Sequence, residues 1–284
     1  MRLYTFDDYR LGAQADDGRL ADITDLVSAD IAPRDRMTAL ITHWDRLASQ
    51  VRGAVRSPSG PALFDVTVRA PQPRPRTLLA APVNYLRHQA EMGGDGGVYA
   101  DADIKTIASY AGFVKASSSI TGPDGAIEIP FPDRRVDHEA EVGVVIGRRA
   151  SRVPRERALD HVFGYVPLLD ITIRGEEDRS YRKSFDTFTP IGPAIVTADE
   201  IPDPADIAFR LSVNGQERQK STTRHLIYDI PRLIELYSEA MTLEPGDIIA
   251  TGTPEGVGPI SPGDQVVLTV EGVGELTMPV VERP

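Results

Sequence analysis

The chain has 284 residues, of which 41% are hydrophobic and 26% are charged, an ordinary composition for a globular protein with a buried core. Its net charge of −11 disfavours nucleic acid as a partner, because the phosphate backbone is also negative, but a small anionic substrate could still bind in a locally positive pocket. The absence of cysteine excludes disulfides and thiolate chemistry, and the lack of a long apolar run or a signal peptide favours a soluble, cytoplasmic protein that does not contact membranes.

Short strands and one helix are predicted in the N-terminal quarter of the chain. Residues 2–27 contain short segments of alternating polarity, which are typical of strands. Apolar residues recur at helical spacing over residues 35–52. Three prolines at alternate positions in residues 70–76 then predict an extended connector. We therefore assign residues 1–70 to a small N-terminal α/β domain and residues 71–284 to a second domain.

The rest of the chain alternates short apolar runs with Gly and Pro, a pattern typical of a mostly β domain with few helices. Residues 228–241 form its clearest predicted helix, and the Gly- and Asp-rich stretch 92–103 predicts a mobile surface loop. The expected fold class is α+β and mostly β. The apolar runs that read as strands cover residues 142–146, 162–169, 191–196, 209–213, 247–250 and 265–270.

A histidine and a glutamate are the first candidate catalytic pair along the chain. His88 and Glu91 lie three residues apart, so they would share one face of a short helix that Asn84 could cap. A carboxylate beside an imidazole orients the ring and raises its basicity, which suits a general base. The same spacing is common in solvated surface pairs, so the pair alone leaves both interpretations open.

Three carboxylates form the most informative pattern. A strand of period two places Glu139 and Glu141 on one face, beside a very apolar run. Two adjacent carboxylates are costly there unless a cation lies between them, and Mg²⁺ or Mn²⁺ prefers oxygen ligands. An edge strand with two solvated glutamates is the alternative. Asp170 ends another apolar run and favours the metal site as a third ligand, whereas His138 would face away and is expected to be structural.

Cations and a glycine-rich turn are candidate contacts for an anionic substrate. Arg174 begins the charged run that follows Asp170, and Lys115 lies in an apolar and hydroxyl-rich segment; either cation could reach a substrate carboxylate. The turn 251–258 lacks the Gly-Lys-Ser/Thr ending of a phosphate loop. Its backbone N–H groups, such as that of Gly252, and its Thr hydroxyls could instead bind an oxyanion or carboxylate.

Taken in order, these segments resemble the fumarylacetoacetate hydrolase superfamily. The resemblance covers roughly residues 78–280, and residues 1–70 look like the variable N-terminal domain of that family. The combination of motifs is highly specific. The matching positions are Asn84, Tyr85, His88, Glu91, Phe113, Lys115, Asp137, Glu139, Glu141, Asp170, Lys183, Phe185, Asp186, Thr187, Gln219, Asp247 and the turn 251–258.

The resemblance implies a rolled, mixed β-sheet catalytic domain, usually in a homodimer, with one Mg²⁺ or Mn²⁺ per subunit on the three carboxylates. It implies that His88 and Glu91 form a catalytic dyad on a lid, and that Lys183 and Thr253 contact the substrate or the developing oxyanion. One departure concerns the Arg-Asp-x-Gln pattern that many acylpyruvate-cleaving relatives carry after the metal aspartate. Here it reads Arg174-Gly175-Glu176-Glu177, without a clear counterpart of the substrate-orienting glutamine.

The expected function is hydrolytic C–C cleavage of a β-diketo acid of the acylpyruvate, fumarylpyruvate or diketo-deoxy sugar acid type, which yields pyruvate and a carboxylic acid. His88 would activate water, and Lys183 and Thr253 would stabilise charge next to the metal. Decarboxylation of oxaloacetate and isomerisation or hydration of a dienoate are alternatives on the same site. A non-catalytic protein that binds a metal or a sugar acid is the alternative of another class.

Overall fold

The structure, a computed structural model, describes residues 1–93 and 104–283. Most of the surface loop predicted at 92–103 lies outside the described residues, so its mobility stays a prediction. Across the two described ranges, no helix is both long enough and apolar enough to cross a membrane.

The N-terminal quarter contains three strands and two helices: β1 (Arg2–Phe6), β2 (Arg10–Gln14), β3 (Leu20–Asp22), α1 (Arg36–Thr42) and α2 (Trp44–Val55). The strands form an antiparallel meander. The single helix predicted at 35–52 is divided in two, because the backbone at His43 (φ −106°, ψ 18°) leaves the α-helical range. Both helices bury their apolar faces in the same core, as the predicted spacing requires.

Strands dominate the remainder of the chain. Its helices are α3 (Leu86–Gly93), α4 (Ile107–Tyr110), α5 (Arg179–Arg182) and α6 (Ile230–Ala240). Its strands are β4 (Leu78–Ala80), β5 (Phe113–Lys115), β6 (Ile120–Thr121), β7 (Ile127–Ile129), β8 (Val136–His138), β9 (Ala140–Ile146), β10 (Val162–Leu169), β11 (Thr172–Ile173), β12 (Thr189–Pro190), β13 (Ile195–Thr197), β14 (Ala208–Val213), β15 (Gln216–Thr222), β16 (Ile248–Ala250), β17 (Gly258–Pro259), β18 (Gln265–Val270) and β19 (Gly274–Glu282).

Most predicted elements are confirmed to within a few residues. Helix α6 matches the helix predicted at 228–241 and begins after Asp229, whose side chain accepts a hydrogen bond from the Arg232 N–H. The predicted strands are observed as β9, β10, β14, β16 and β18. The strand predicted at 191–196 is wrong in its first part, because Pro193 has no N–H to donate to a ladder, and the strand begins only at Ile195.

One mixed sheet of nine strands runs through both halves of the chain, in the order β3-β2-β1-β13-β10-β9-β16-β4-β5. The N-terminal meander joins it through β1, which pairs antiparallel with β13. Strands β16 and β4 pair in parallel. Because this sheet continues across the boundary predicted near residue 70, the division into two domains stays a prediction.

Apolar side chains cover both faces of the nine-stranded sheet. A five-stranded sheet (β15-β14-β18-β19-β7) and helix α6 pack on one face, and helices α1 and α2 pack on the other. Strand β9 shows the alternation, since Val144 enters the first core and Val145 enters the second. The architecture confirms the predicted α+β, mostly β class.

The pairing of β9 with β10 brings the predicted metal ligands together. Leu168 lies opposite Glu141 in this ladder, and the next hydrogen bond runs from the Asp170 N–H to the Glu139 carbonyl oxygen at 2.9 Å. Asp170 therefore emerges beside both glutamates. The period-two argument assumed that Glu139 and Glu141 lie in one continuous strand. Glu139 instead lies between β8 and β9.

Candidate metal centre and active site

Three buried carboxylates, those of Glu139, Glu141 and Asp170, form the centre of the site. One oxygen from each lies within 4.8 Å of the others. All three side chains are almost completely removed from solvent. Such a cluster is costly without compensating positive charge, and the oxygen donors suit Mg²⁺ or Mn²⁺.

Two lysines neutralise part of this charge. The Lys183 ammonium donates to Glu139 Oε2 and Asp170 Oδ2, both at 2.7 Å, and to Thr172 Oγ1 at 2.6 Å. All three of its hydrogens therefore have acceptors. Lys115 donates to Asp170 Oδ1 and to the Phe188 carbonyl oxygen. Both lysines bind the carboxylates in this structure, so the predicted contacts of Lys183 and Lys115 with substrate stay predictions.

Arg174 links the metal ligands to a further buried acid. Its Nε donates to Asp137 Oδ2 at 2.6 Å, and its Nη2 donates to Glu139 Oε1 at 3.0 Å. Arg135 occupies the other oxygen of Asp137. Asp137 thus holds Arg174 in position. Because Arg174 binds protein carboxylates in this structure, its contact with substrate stays a prediction.

The two glutamates of the cluster have different electrostatic environments. Burial opposes the ionisation of Glu139, but Lys183 and Arg174 outweigh it and hold the pKa of Glu139 far below its usual value. Burial and the neighbouring Asp170 raise the pKa of Glu141 well above its usual value.

Glu141 lacks the direct cationic contacts of the other two acids. Its carboxylate accepts a hydrogen bond from the Gly252 N–H at 2.6 Å and forms no ion pair within the described residues. The side chain is only 2% exposed. A divalent cation would supply the missing positive charge, so the residues present fit a bound metal.

The predicted His–Glu pair lies on helix α3. His88 Nδ1 is 3.2 Å from Glu91 Oε2, and Glu91 Oε1 accepts a hydrogen bond from the Gly256 N–H at 2.9 Å. Burial opposes ionisation of Glu91, but the hydrogen bonds from His88 and Gly256 outweigh it and lower its pKa. Since ionised Glu91 can only accept, His88 Nδ1 carries a hydrogen towards it, and the neutral form of the ring would then have its lone pair on Nε2.

Asn84 does not cap helix α3, so that prediction is wrong. Its side chain donates to the carbonyl oxygens of Tyr228 and Thr251 at 2.9 and 2.8 Å, and it accepts from the Tyr228 N–H at 2.8 Å. Asn84 thus ties the start of α6 to the turn that carries Gly252. The amide prefers these partners because they are buried backbone groups that would otherwise lack hydrogen bonds.

A cavity of about 270 Å³ brings most of the predicted residues together. It also has apolar walls, to which Met92, Ile104 and Phe113 contribute. Lys115 and Gly252 are not part of the lining in the described residues and contact Asp170 and Glu141 from behind. The predicted residues that line the cavity are His88, Glu139, Glu141, Asp170, Arg174, Lys183 and Thr253.

Arg182 lines the same cavity but was not singled out from the sequence. It is 7% exposed, and its guanidinium donates to the carbonyl oxygens of Glu177 and Ile173. Within residues 1–93 and 104–283, it forms no ion pair with a carboxylate. A buried guanidinium in a charged run could not be distinguished by sequence from the solvated arginines beside it.

Gln219 matches the family pattern, but the sequence assigned it no role. It lies on β15, where it is the one buried residue of an otherwise exposed or half-buried strand, and its amide contacts both the β8–β9 segment and the Thr253 turn. A glutamine within the polar sequence of β15 gives little signal, because its partners are 79 and 34 residues away.

Comparison with known proteins shows the family of the chain. The family model described as fumarylacetoacetate (FAA) hydrolase C-terminal matches residues 77–281. The maleylpyruvate hydrolase of Aquipseudomonas alcaligenes is 38% identical over 283 residues, which cover 98% of this chain and 98% of the relative. The bifunctional isomerase/decarboxylase of 4-hydroxyphenylacetate degradation from Escherichia coli is 37% identical over 263 residues, 89% of this chain and 57% of that protein.

A solved structure with a bound metal is also similar. The crystal structure of maleylpyruvate hydrolase from Sphingobium sp. SYK-6 in complex with manganese(II) ion and pyruvate superposes with a TM-score of 0.88. It is 39% identical to this chain, and the match covers 100% of both chains.

Proposed function

The chain belongs to the fumarylacetoacetate hydrolase family and is an enzyme of that superfamily, and we propose that it hydrolyses a C–C bond of an acylpyruvate. The products would be pyruvate and a second carboxylic acid. The observation that carries the proposal is the buried carboxylate cluster, in one cavity with His88, where Glu141 has no ion-pair partner among residues 1–93 and 104–283. Membership of an enzyme superfamily argues against the alternative of a non-catalytic binding protein.

The three carboxylates of Glu139, Glu141 and Asp170 would hold one Mn²⁺ or Mg²⁺. Manganese in the similar Sphingobium structure supports this assignment. When bound, the cation supplies a Lewis acid that stabilises negative charge on the oxygens of a 2-oxo acid. Lys183 and Arg174 keep Glu139 ionised, and Lys115 orients Asp170, so the ligands are held ready for the cation.

His88 would act as the general base. The Glu91 carboxylate accepts the Nδ1 proton, which leaves Nε2 able to take a proton from water as that water attacks the distal carbonyl carbon. The bond from the Gly256 N–H to Glu91 fixes the pair to the turn 251–258. Thr253, on the same turn, would donate a hydrogen bond to the substrate.

Arg182 supports a substrate with a second carboxylate. Its buried guanidinium lines the cavity and forms no ion pair in the described ranges, so a distal carboxylate of the substrate could pair with it directly. Maleylpyruvate has such a group, whereas acetylpyruvate has none.

The Escherichia coli relative makes isomerisation or decarboxylation the second candidate function. Both reactions can use the same cation to stabilise an enolate. We also propose a homodimer in the cytoplasm that binds a small anionic keto acid and neither nucleic acid nor membrane. The family resemblance supports the dimer, and the net charge of −11 supports the absence of nucleic acid.

The test is a substrate panel with Mn²⁺ that includes maleylpyruvate, acetylpyruvate, a diketo sugar acid, oxaloacetate and a dienoate. We expect pyruvate release from an acylpyruvate, its loss on chelation, and its return with added cation. His88→Ala should lower turnover by about 100-fold or more, whereas exposed His225→Ala should not. Arg182→Met should lower turnover of maleylpyruvate more than that of acetylpyruvate. Turnover that survives chelation, or a His88→Ala variant as active as the wild type, would contradict the mechanism.

A further inference from the structure

We propose that Gln219 is a positioning residue that directs the hydroxyl hydrogen of Thr253 into the cavity. The inference rests on the proposed function, because the acceptor of that hydrogen would be an oxygen of the substrate. Gln219 would never touch the substrate and would act only through Thr253.

The amide of Gln219 has one possible orientation. Its Oε1 accepts a hydrogen bond from the Ala140 N–H at 2.9 Å, and its Nε2 donates to the Pro254 carbonyl oxygen at 2.9 Å. A backbone N–H can only donate and a carbonyl oxygen can only accept, so exchanging the amide oxygen and nitrogen would break both bonds. His138 Nδ1, 3.1 Å from Oε1, adds a second donor to the same oxygen.

The fixed amide determines what Thr253 can do. The second Nε2 hydrogen of Gln219 points to Thr253 Oγ1 at 2.8 Å, so the hydroxyl oxygen accepts and its own hydrogen remains available. Thr253 is 4% exposed and lines the cavity. Its side chain makes no other hydrogen bond within residues 1–93 and 104–283. A buried hydroxyl hydrogen without an acceptor is unfavourable, and a substrate oxygen in the cavity would supply one.

The hydrogen bond from the Ala140 N–H to Gln219 connects Gln219 to the proposed metal site. Ala140 lies between the two proposed ligands Glu139 and Glu141, so the Gln219 side chain joins the ligand segment directly to the donor on the turn 251–258. Gln219 itself is 1% exposed, which excludes competition from solvent. The donor and the proposed ligands are therefore held in a constant relative position.

A double-mutant cycle tests the proposal. A Gln219→Glu side chain can accept from the Ala140 N–H, and if it is protonated its one hydrogen can go to the Pro254 carbonyl oxygen. It has no second hydrogen for Thr253, so the Thr253 hydroxyl would turn its own hydrogen towards the new carboxyl group. We expect Gln219→Glu and Thr253→Val each to lower kcat about 100-fold, at the lower end of the range for loss of one donor to the reacting group, with a smaller change in KM. The double variant should be no slower than Thr253→Val alone, because both changes remove the same donor.

Several controls separate positioning from general damage. Thr253→Ser keeps the hydroxyl and should retain most of the activity, and Gln216→Glu places the same charge change on an exposed position of β15. If Gln219→Glu fails to fold by circular dichroism, Gln219→Met, neutral and of similar size, replaces it in the cycle. Losses that multiply in the double variant would overturn the proposal, as would a fully active Thr253→Val. A wild-type enzyme that cleaves no acylpyruvate would instead overturn the proposed function, and the cycle would then be measured with whichever substrate of the panel is turned over.

Discussion

Two glutamates separated by one residue, Glu139 and Glu141, have carboxyl pKa values that shift in opposite directions. Both are buried, so burial alone would raise both pKa values. Lys183 and Arg174 contact Glu139 directly, whereas Glu141 receives a backbone N–H and faces the negative charge of Asp170. Neighbouring charge therefore explains why the two shifts differ in direction. Glu141, which has no direct cationic contact among the described residues, would gain most from a bound cation.

Glu91 gives a pH-dependent prediction at the scale of a residue. Its folded-state pKa is lowered: burial raises it, but the hydrogen bonds from His88 and the Gly256 N–H outweigh burial. Ionised Glu91 therefore stabilises the fold above its unfolded pKa of about 4.3, and this contribution is lost as the pH falls through the lower folded value. We expect the difference in Tm between wild type and Glu91→Gln to be constant above about pH 5 and to shrink in more acidic solution.

Thermal melts of both proteins from neutral to acidic pH check this expectation. Glu217→Gln is the matched control, because Glu217 is exposed on β15. A difference in Tm that stays the same down to the acid end of the series would show that the Glu91 carboxylate does not stabilise the native state.

At the scale of elements, the strand β10 and the turn after β16 decide where the candidate ligands meet. The β9–β10 ladder ends with the bond from the Asp170 N–H to the Glu139 carbonyl oxygen, which aligns residues 31 positions apart in the chain. The turn then approaches from the other side, and the Gly252 N–H donates to Glu141. Local strand periodicity predicts that the two glutamates lie on one face. It does not predict that the end of β10 and the turn after β16 lie next to them.

The variant Gly252→Ala tests whether the turn 251–258 holds Glu141 in place. Gly252 has a φ of +101°, and an added Cβ would lie 2.7 Å from the Cβ of Asn84. The strained φ alone costs about 1–3 kcal/mol, and the clash would displace the N–H that donates to Glu141. We expect a stability loss of about 2 kcal/mol or more and at least tenfold weaker binding of Mn²⁺, measured by urea unfolding and by calorimetric titration.

Gly263→Ala is the control for backbone strain. Gly263 has a similar φ of +96°, but nothing lies within 4 Å of the added Cβ. This variant should lose about 1 kcal/mol of stability and bind Mn²⁺ as the wild type does. Equal effects of the two substitutions on Mn²⁺ binding would refute the role of the Gly252 N–H.

At the scale of the whole molecule, the N-terminal strands complete the sheet that carries the site. Strand β1 pairs with β13, which in turn pairs with β10, the strand that ends at Asp170. Leu3 and Leu11 are fully buried in the same core as Ile195 and Ile248. Residues 1–70 are thus bound to the rest by both backbone hydrogen bonds and apolar contacts.

Removal of residues 1–70 tests the predicted domain boundary. A fragment of residues 71–284 would expose the edge of β13 and lose the burial of several leucines, each worth about 1.5–3 kcal/mol. We expect this fragment to aggregate or to melt well below the full chain, as compared by size-exclusion chromatography and thermal unfolding. A soluble fragment with an unchanged Tm would show that the catalytic part folds independently.

The class of fold and most elements could be predicted because they depend on local spacing. Alternating and helical patterns identified β9, β10, β18 and α6, each of which buries one or both faces against a core. The break at His43 and the late start of β13 could not be predicted from those patterns. They depend on single positions: the backbone at His43 leaves the helical range, and Pro193 has no N–H to donate to a ladder.

The sequence alone determined the chemical types of the site residues and their order along the chain. Spacing indicated an acidic cluster with Glu139, Glu141 and Asp170, and the family resemblance implied a His–Glu pair beside it. Only the tertiary structure decided which partners each group has: Lys115 and Gly252 contact the carboxylates from behind, Arg182 has no acid to pair with in the described ranges, and Gln219 joins the ligand segment to Thr253. The physical reason is that hydrogen bonds and ion pairs depend on distances of a few ångströms, and those distances are set by sheet pairing between residues far apart in the chain.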